Sequence, residues 1–137
     1  KRRGLDAHRH DFWEICAIVE GTVSWWAGEE SFEVGRGQVY FTRPDELHGG
    51  MDAMMHRCEL YWLHVRPDET TFPLLDALQG DGPRTFPAPE AVPLFASLLA
   101  EHERPEAFAE VAARATLHLL LAAIARARSN ETRRTVS

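Results

Sequence analysis

The first 66 residues are cut into short β-branched and aromatic runs by turn-forming residues, and this punctuation leaves few folds open. Residues 12–19 (FWEICAIV) are followed by Glu20-Gly21, which reads as a hairpin turn, with residues 22–26 as the return strand. Ala27-Gly28-Glu29 leads into the alternating residues 31–34, and Gly35-Arg36-Gly37 leads into residues 38–42. After Pro44 and His48, residues 56–65 (HRCELYWLHV) make a long last strand. Strands this closely spaced predict a small antiparallel barrel or sandwich.

The pattern changes from Arg66 onward. Residues 67–90 are rich in proline and carry Gly80 and Gly82, so they read as a connector with at most one short helix near residues 72–78. Ala91, Leu94, Phe95, Leu98 and Leu99 then recur at helical spacing, with Pro93 in a first turn that tolerates it. Pro105 opens a second helix, expected over residues 106–128 and ending on Arg126 and Arg128, which suit a helix C-terminus. The expected division is a barrel with its pocket over 1–66, a connector over 67–90 and a helical dimerisation segment over 91–137.

The second helix shows two apolar stripes. Phe108, Val111, Ala112, Ala115, Leu119 and Ala122 form one, expected to lie on the barrel or the first helix. Leu117, Leu120, Leu121 and Ile124 form the other, expected to bind a two-fold related copy and make a homodimer.

Chemistry concentrates in two clusters. In Gly4-x3-His8-x-His10-x3-Glu14-x6-Gly21, strand parity puts His8, His10 and Glu14 on one face. In Gly37-x6-Pro44-x3-His48, a turn brings a further histidine from a neighbouring strand. Three histidines and a carboxylate converging in a barrel form a polar ligand site, and their donor types also suit a divalent transition metal such as zinc, nickel, iron or manganese. A sugar-sized ligand would need an aromatic platform beside such groups. One of Trp25 and Trp26 must face inward, and the expected pocket wall is Trp26 with Tyr61 or Trp62. His56, His64, His102 and His118 read as structural or surface residues.

At these residues the chain resembles a cupin. The first cluster follows the family's first motif from His8 to Gly21, departing in the glycine spacing before the histidine pair. In the second, Glu46 stands where the motif usually has glycine. The whole order, HRHDFWEICAIVEG, then GRGQVYFTRPDELH, then LYWLHVRP, then a proline-rich connector and two helices, is similar to the N-terminal effector-binding and dimerisation domain of AraC/XylS-type transcription regulators. The resemblance implies a cupin-like antiparallel β barrel followed by two C-terminal α-helices, a small polar effector such as a sugar, a homodimer, and DNA binding only through a helix-turn-helix domain absent from this chain. It also implies that such regulators mostly bind organic effectors without metal. The alternative from another class is a metal-dependent cupin enzyme, a small dioxygenase or sugar isomerase, which would not need the helical pair.

Composition narrows the partners. Fifteen Lys and Arg against 21 Asp and Glu leave a net charge of -6, unsuited by itself to wrapping a phosphate backbone. The longest apolar run, residues 117–125, is too short to span a bilayer. Cys16 and Cys58 are too few for a disulfide framework, which reads as a reducing, cytoplasmic setting. A phosphate-binding glycine loop, a Gly-x-Ser-x-Gly elbow and a Cys-x-x-Cys pair are all missing from the sequence, so classical hydrolase and nucleotide chemistry have no foothold. The chain opens on Lys1 without an initiator methionine and is expected to be a segment of something longer.

Overall fold

The computed structural model describes residues 11–104 and 106–136. Among them, an antiparallel sheet is built from β1 (Trp13–Ala27), β2 (Glu30–Gly35), β3 (Gln38–Thr42), β4 (His48–Val65) and β5 (Thr85–Pro87). A short helix α1 (Phe72–Asp76) precedes β5, and α2 (Ala91–Glu103) and α3 (Ala109–Val136) follow it. The expected plan of an antiparallel barrel-like sheet trailed by helices is the plan observed.

β1 organises the sheet. On one side it pairs with β4 along most of its length, from Trp13 opposite Val65 to Ala27 opposite His48. On the other its first half pairs with β3, Glu14 opposite Thr42, and its second half with β2, Trp25 opposite Phe32. Glu20-Gly21 is therefore not a hairpin turn. It is a bulged bend in one continuous strand, with register shifts on both sides and Gly21 at φ 87°, a backbone conformation that glycine adopts without steric cost. The bend lets one strand serve two neighbours and curls the sheet. The tip of the β2–β3 hairpin is tied into that curl, where Gly37 N–H donates to the Ile18 carbonyl at 2.9 Å.

The sheet separates two apolar layers. On one face Trp13, Ile15, Ala17, Val39, Phe41 and Val65 pack against the helices. On the other Cys16, Ile18, Val23, Val34 and Tyr40 form a smaller cluster, with Trp25, Phe32, Cys58 and Leu60 against it. The connector does more than link. Its Leu75, Leu78 and Phe86 enter the helix-side core, and β5 extends the sheet beyond β3.

The α3 stripes are the reverse of the sequence expectation. Leu120, Leu121 and Ile124 are fully buried in the chain's own core, and Leu117 packs against that core. The face proposed from sequence as the dimer contact is thus the one the sheet covers. Phe108, Val111 and Leu119 stand 83%, 70% and 60% exposed. The larger, branched stripe wins the core because it removes more apolar surface from water, about 1.5–3 kcal/mol per fully buried side chain. α3 also runs on to Val136, past the expected end near Arg128. There Arg128 is buried and donates to the carbonyls of Ala77, Gln79, Gly80 and Pro83, which anchors the helix to the connector. Among the described residues no helix is long and apolar enough to cross a membrane.

Candidate functional site

Glu14, Thr42 and His64 are cross-strand neighbours on β1, β3 and β4, so their side chains share the face turned away from the helices. His48, at the start of β4, arrives at the same place from the β3–β4 turn. Its Nε2 lies 3.0 Å from Glu14 Oε1, while His64 Nε2 lies 3.2 Å from Glu14 Oε2. One carboxylate thus takes an imidazole on each oxygen. Glu14 is mostly enclosed, and His48 is 1% exposed.

The turn holding His48 is itself held. Asp45 adopts φ 64°, and the Glu46 carboxylate accepts the Arg43 backbone N–H at 3.0 Å and both terminal nitrogens of Arg84. The Glu46 carbonyl takes His48 Nδ1 at 2.9 Å. The glutamate that stands where the motif usually has glycine is thus the anchor between β5 and the histidine turn.

These contacts favour the charged form of His48. Nδ1 faces the Glu46 carbonyl and Nε2 lies close to the Glu14 carboxylate, and both are acceptor groups. Burial opposes a charged ring, but the bonds to Glu14 and Glu46 outweigh it and hold the imidazole's pKa above its ordinary value. Burial likewise raises the Glu14 carboxyl, and the two imidazoles more than reverse this, holding it below the usual carboxylate value. Deeper on the same face, burial pushes up the Cys16 thiol and the Tyr40 hydroxyl, which remain neutral.

Aromatic rings surround the carboxylate. Trp25 has its ring centroid 5.3 Å from Tyr40 and 6.2 Å from His48. Phe12 and Trp62 flank His64 at 4.2 and 4.8 Å. Among the described residues, Trp25 Nε1 and Thr42 Oγ1 are buried on this face without a hydrogen-bond partner, and Glu14 Oε1 meets His48 as a close ion-pair contact whose geometry is not that of a hydrogen bond. Such orphans are rare in a folded core and mark where a polar ligand or water belongs.

Of the sequence-derived residues, the fold brings Glu14 and His48 together, while His8 and His10 lie outside the described residues. Two wall residues are corrected. Trp25, not Trp26, faces the site. The bulge at Gly21 shifts side-chain parity, so even positions Glu14, Cys16 and Ile18 share a face with odd positions Val23 and Trp25, and Trp26 is buried on the other side. Tyr61, opposite Ala17, also points to the helix side and stacks on Phe95 of α2 at 5.8 Å. His64, expected to be structural or surface, is a direct partner of Glu14. Its signal lay in the even-numbered series Cys58, Leu60, Trp62, His64, which shares the parity of the Glu14 face once the β1–β4 register is known.

Of the four expected metal ligands, Glu14 and His48 are described, and His48 and His64 both direct Nε2 at Glu14. Among the described residues no group of three His, Cys, Asp or Glu side chains is arranged to hold a metal ion.

Comparison with known proteins finds a family model, described as the AraC-like ligand binding domain, that matches residues 2–134. No curated protein matches the chain.

Proposed function

Because the chain belongs to the family of AraC-like ligand-binding domains, we propose that the Glu14–His48–His64 face is its effector site and that the effector is a small polyhydroxylated molecule, a sugar being the simplest case. The observation that carries this is the pair of buried, unpartnered groups Thr42 Oγ1 and Trp25 Nε1 beside an ionised carboxylate. A ligand with several hydroxyls can both donate to Glu14 and accept from Trp25, and a sugar ring would lie against the aromatic face of Trp25. The domain then works as a sensor without turnover. Binding alters how DNA-binding domains of the longer regulator are presented, provided the effector binds one arrangement better than the other. Dimerisation, in this reading, uses the exposed α3 stripe of Val111, Ala115 and Leu119, whose spacing places all three on one side of the helix, with exposed Phe108 just before its first turn.

The test is a melting-temperature screen of the chain against pentoses, hexoses and their acids. A true effector at 100 times its Kd should stabilise the fold by about 2.7 kcal/mol. Thr42→Val and Trp25→Phe should each weaken it at least several-fold while leaving the unliganded fold intact. A stabilising sugar that binds both variants as well as it binds wild type would refute the assignment.

A further inference from the structure

A cavity lies along β4 and the α2–α3 pair, floored from the helix side and reaching Trp62 and His64 at the margin of the Glu14 face. It is a groove of about 1060 Å³ between residues 60–64 of β4 and the α2–α3 pair. That is at the upper end of the size range of small-molecule sites. Its floor is apolar, formed by Leu63, Leu98, Leu117 and the Tyr61–Phe95 stack. Leu99 and Trp62 stand at its mouth, Trp62 with 60% of its surface in solvent.

The charges around this groove are unbalanced. Glu101 and Glu110 both line it together with His64, His102 and Arg114, and among the described residues neither glutamate forms an ion pair. Glu101 is half-buried, so its carboxylate is partly withdrawn from water without an ion pair among the described residues. The guanidinium in the lining, Arg114, is already engaged by Asp68 at 3.1 Å and by Thr70. Aromatic faces beside a carboxylate without an ion pair are a setting that attracts an organic cation.

We propose that this groove is a second small-molecule site, and that it takes an amphipathic organic cation whose apolar body lies along Leu63, Leu98 and Phe95 and whose charge meets Glu101. A body of fused or linked rings fits the length and apolar character of the floor. A carboxylate-bearing ligand of the same size is disfavoured by Glu101 and Glu110.

The test uses two dyes of similar ring size and opposite charge, rhodamine 6G (cationic) and fluorescein (anionic), titrated against the full 137-residue chain by fluorescence polarisation. Rhodamine 6G should bind saturably at one site per chain, and fluorescein at least tenfold more weakly. Glu101→Gln should weaken rhodamine 6G at least tenfold, and Glu101→Lys should abolish its binding. Ala113→Trp, which fills the groove from α3, should block the dye independently of charge. Circular dichroism melting establishes that each variant is folded. No saturable rhodamine 6G binding, equal affinity for fluorescein, or unchanged affinity in Glu101→Gln would each overturn the proposal. Sugar binding at the Glu14 face is measured separately, so failure of one site does not imply failure of the other.

Discussion

Replacing Glu14 with glutamine isolates the charge at the centre of the proposed effector site. Glutamine keeps the shape of the side chain and one acceptor oxygen, but it removes the negative charge that faces the buried His48 ring. Hydrogen bonds to charged groups contribute about 1.5–3 kcal/mol each, and the His64 contact is discounted because that ring is partly in solvent. The expected loss is about 2 kcal/mol, which for a domain of this size lowers the melting temperature by roughly 7 °C. Its pH dependence is the sharper signature. Glu14 is held below its ordinary 4.5, so its contribution is present above about that pH and is lost as pH falls through the folded value. His48 is held above its ordinary 6.5, so its contribution is complete below about that pH and is lost as pH rises through the folded value. The stability gap between wild type and Glu14→Gln should therefore be widest between pH 4.5 and 6.5 and close on both sides. Urea denaturation from pH 4 to 9 measures it. A gap that stays flat or widens toward pH 9 would show that no charged pair exists.

Other regions give further expected outcomes. The double variant Val111→Asp with Leu119→Asp should be a folded monomer by sedimentation, whereas Leu121→Asp should unfold; a Leu121→Asp protein that folds normally and is monomeric would restore the opposite face as the interface. Arg128→Met strips donors from the carbonyls of Ala77, Gln79, Gly80 and Pro83 and should cost about 3 kcal/mol in chemical denaturation, a loss that an unchanged transition would contradict. Zinc, nickel, iron(II) or manganese should leave the melting temperature unmoved, because His48 and His64 direct their Nε2 atoms at Glu14; stabilisation by any of them would show that the cluster opens to hold a metal.

The residues that were legible in the sequence are those whose position depends on a short, unbroken stretch of strand or on a turn. Glu14 lies in the regular first half of β1, where period-two alternation holds, and His48 follows a proline-led turn whose reach is limited. Both could be placed without knowing anything distant. Trp26 failed for the complementary reason. A single bulge at Gly21 inverts every side-chain direction beyond it, and the local pattern Glu20-Gly21 looks the same whether it makes a hairpin or a bulge. His64 required the β1–β4 register, which is a long-range fact. The α3 stripes show a different limit. Helical periodicity locates two apolar faces but not which of them meets the sheet, since burial depends on what the rest of the chain offers. Volume was the usable clue. Leu120, Leu121 and Ile124 pack as large branched side chains into a layer that must be filled to crystal-like density, whereas the Val111–Ala115–Leu119 side is thinner and lies outside it. A helix with one face committed to its own sheet and a second, smaller-featured apolar face in solvent has only that second face available for a partner. Any dimer formed through α3 must therefore be built on the residues the core rejected.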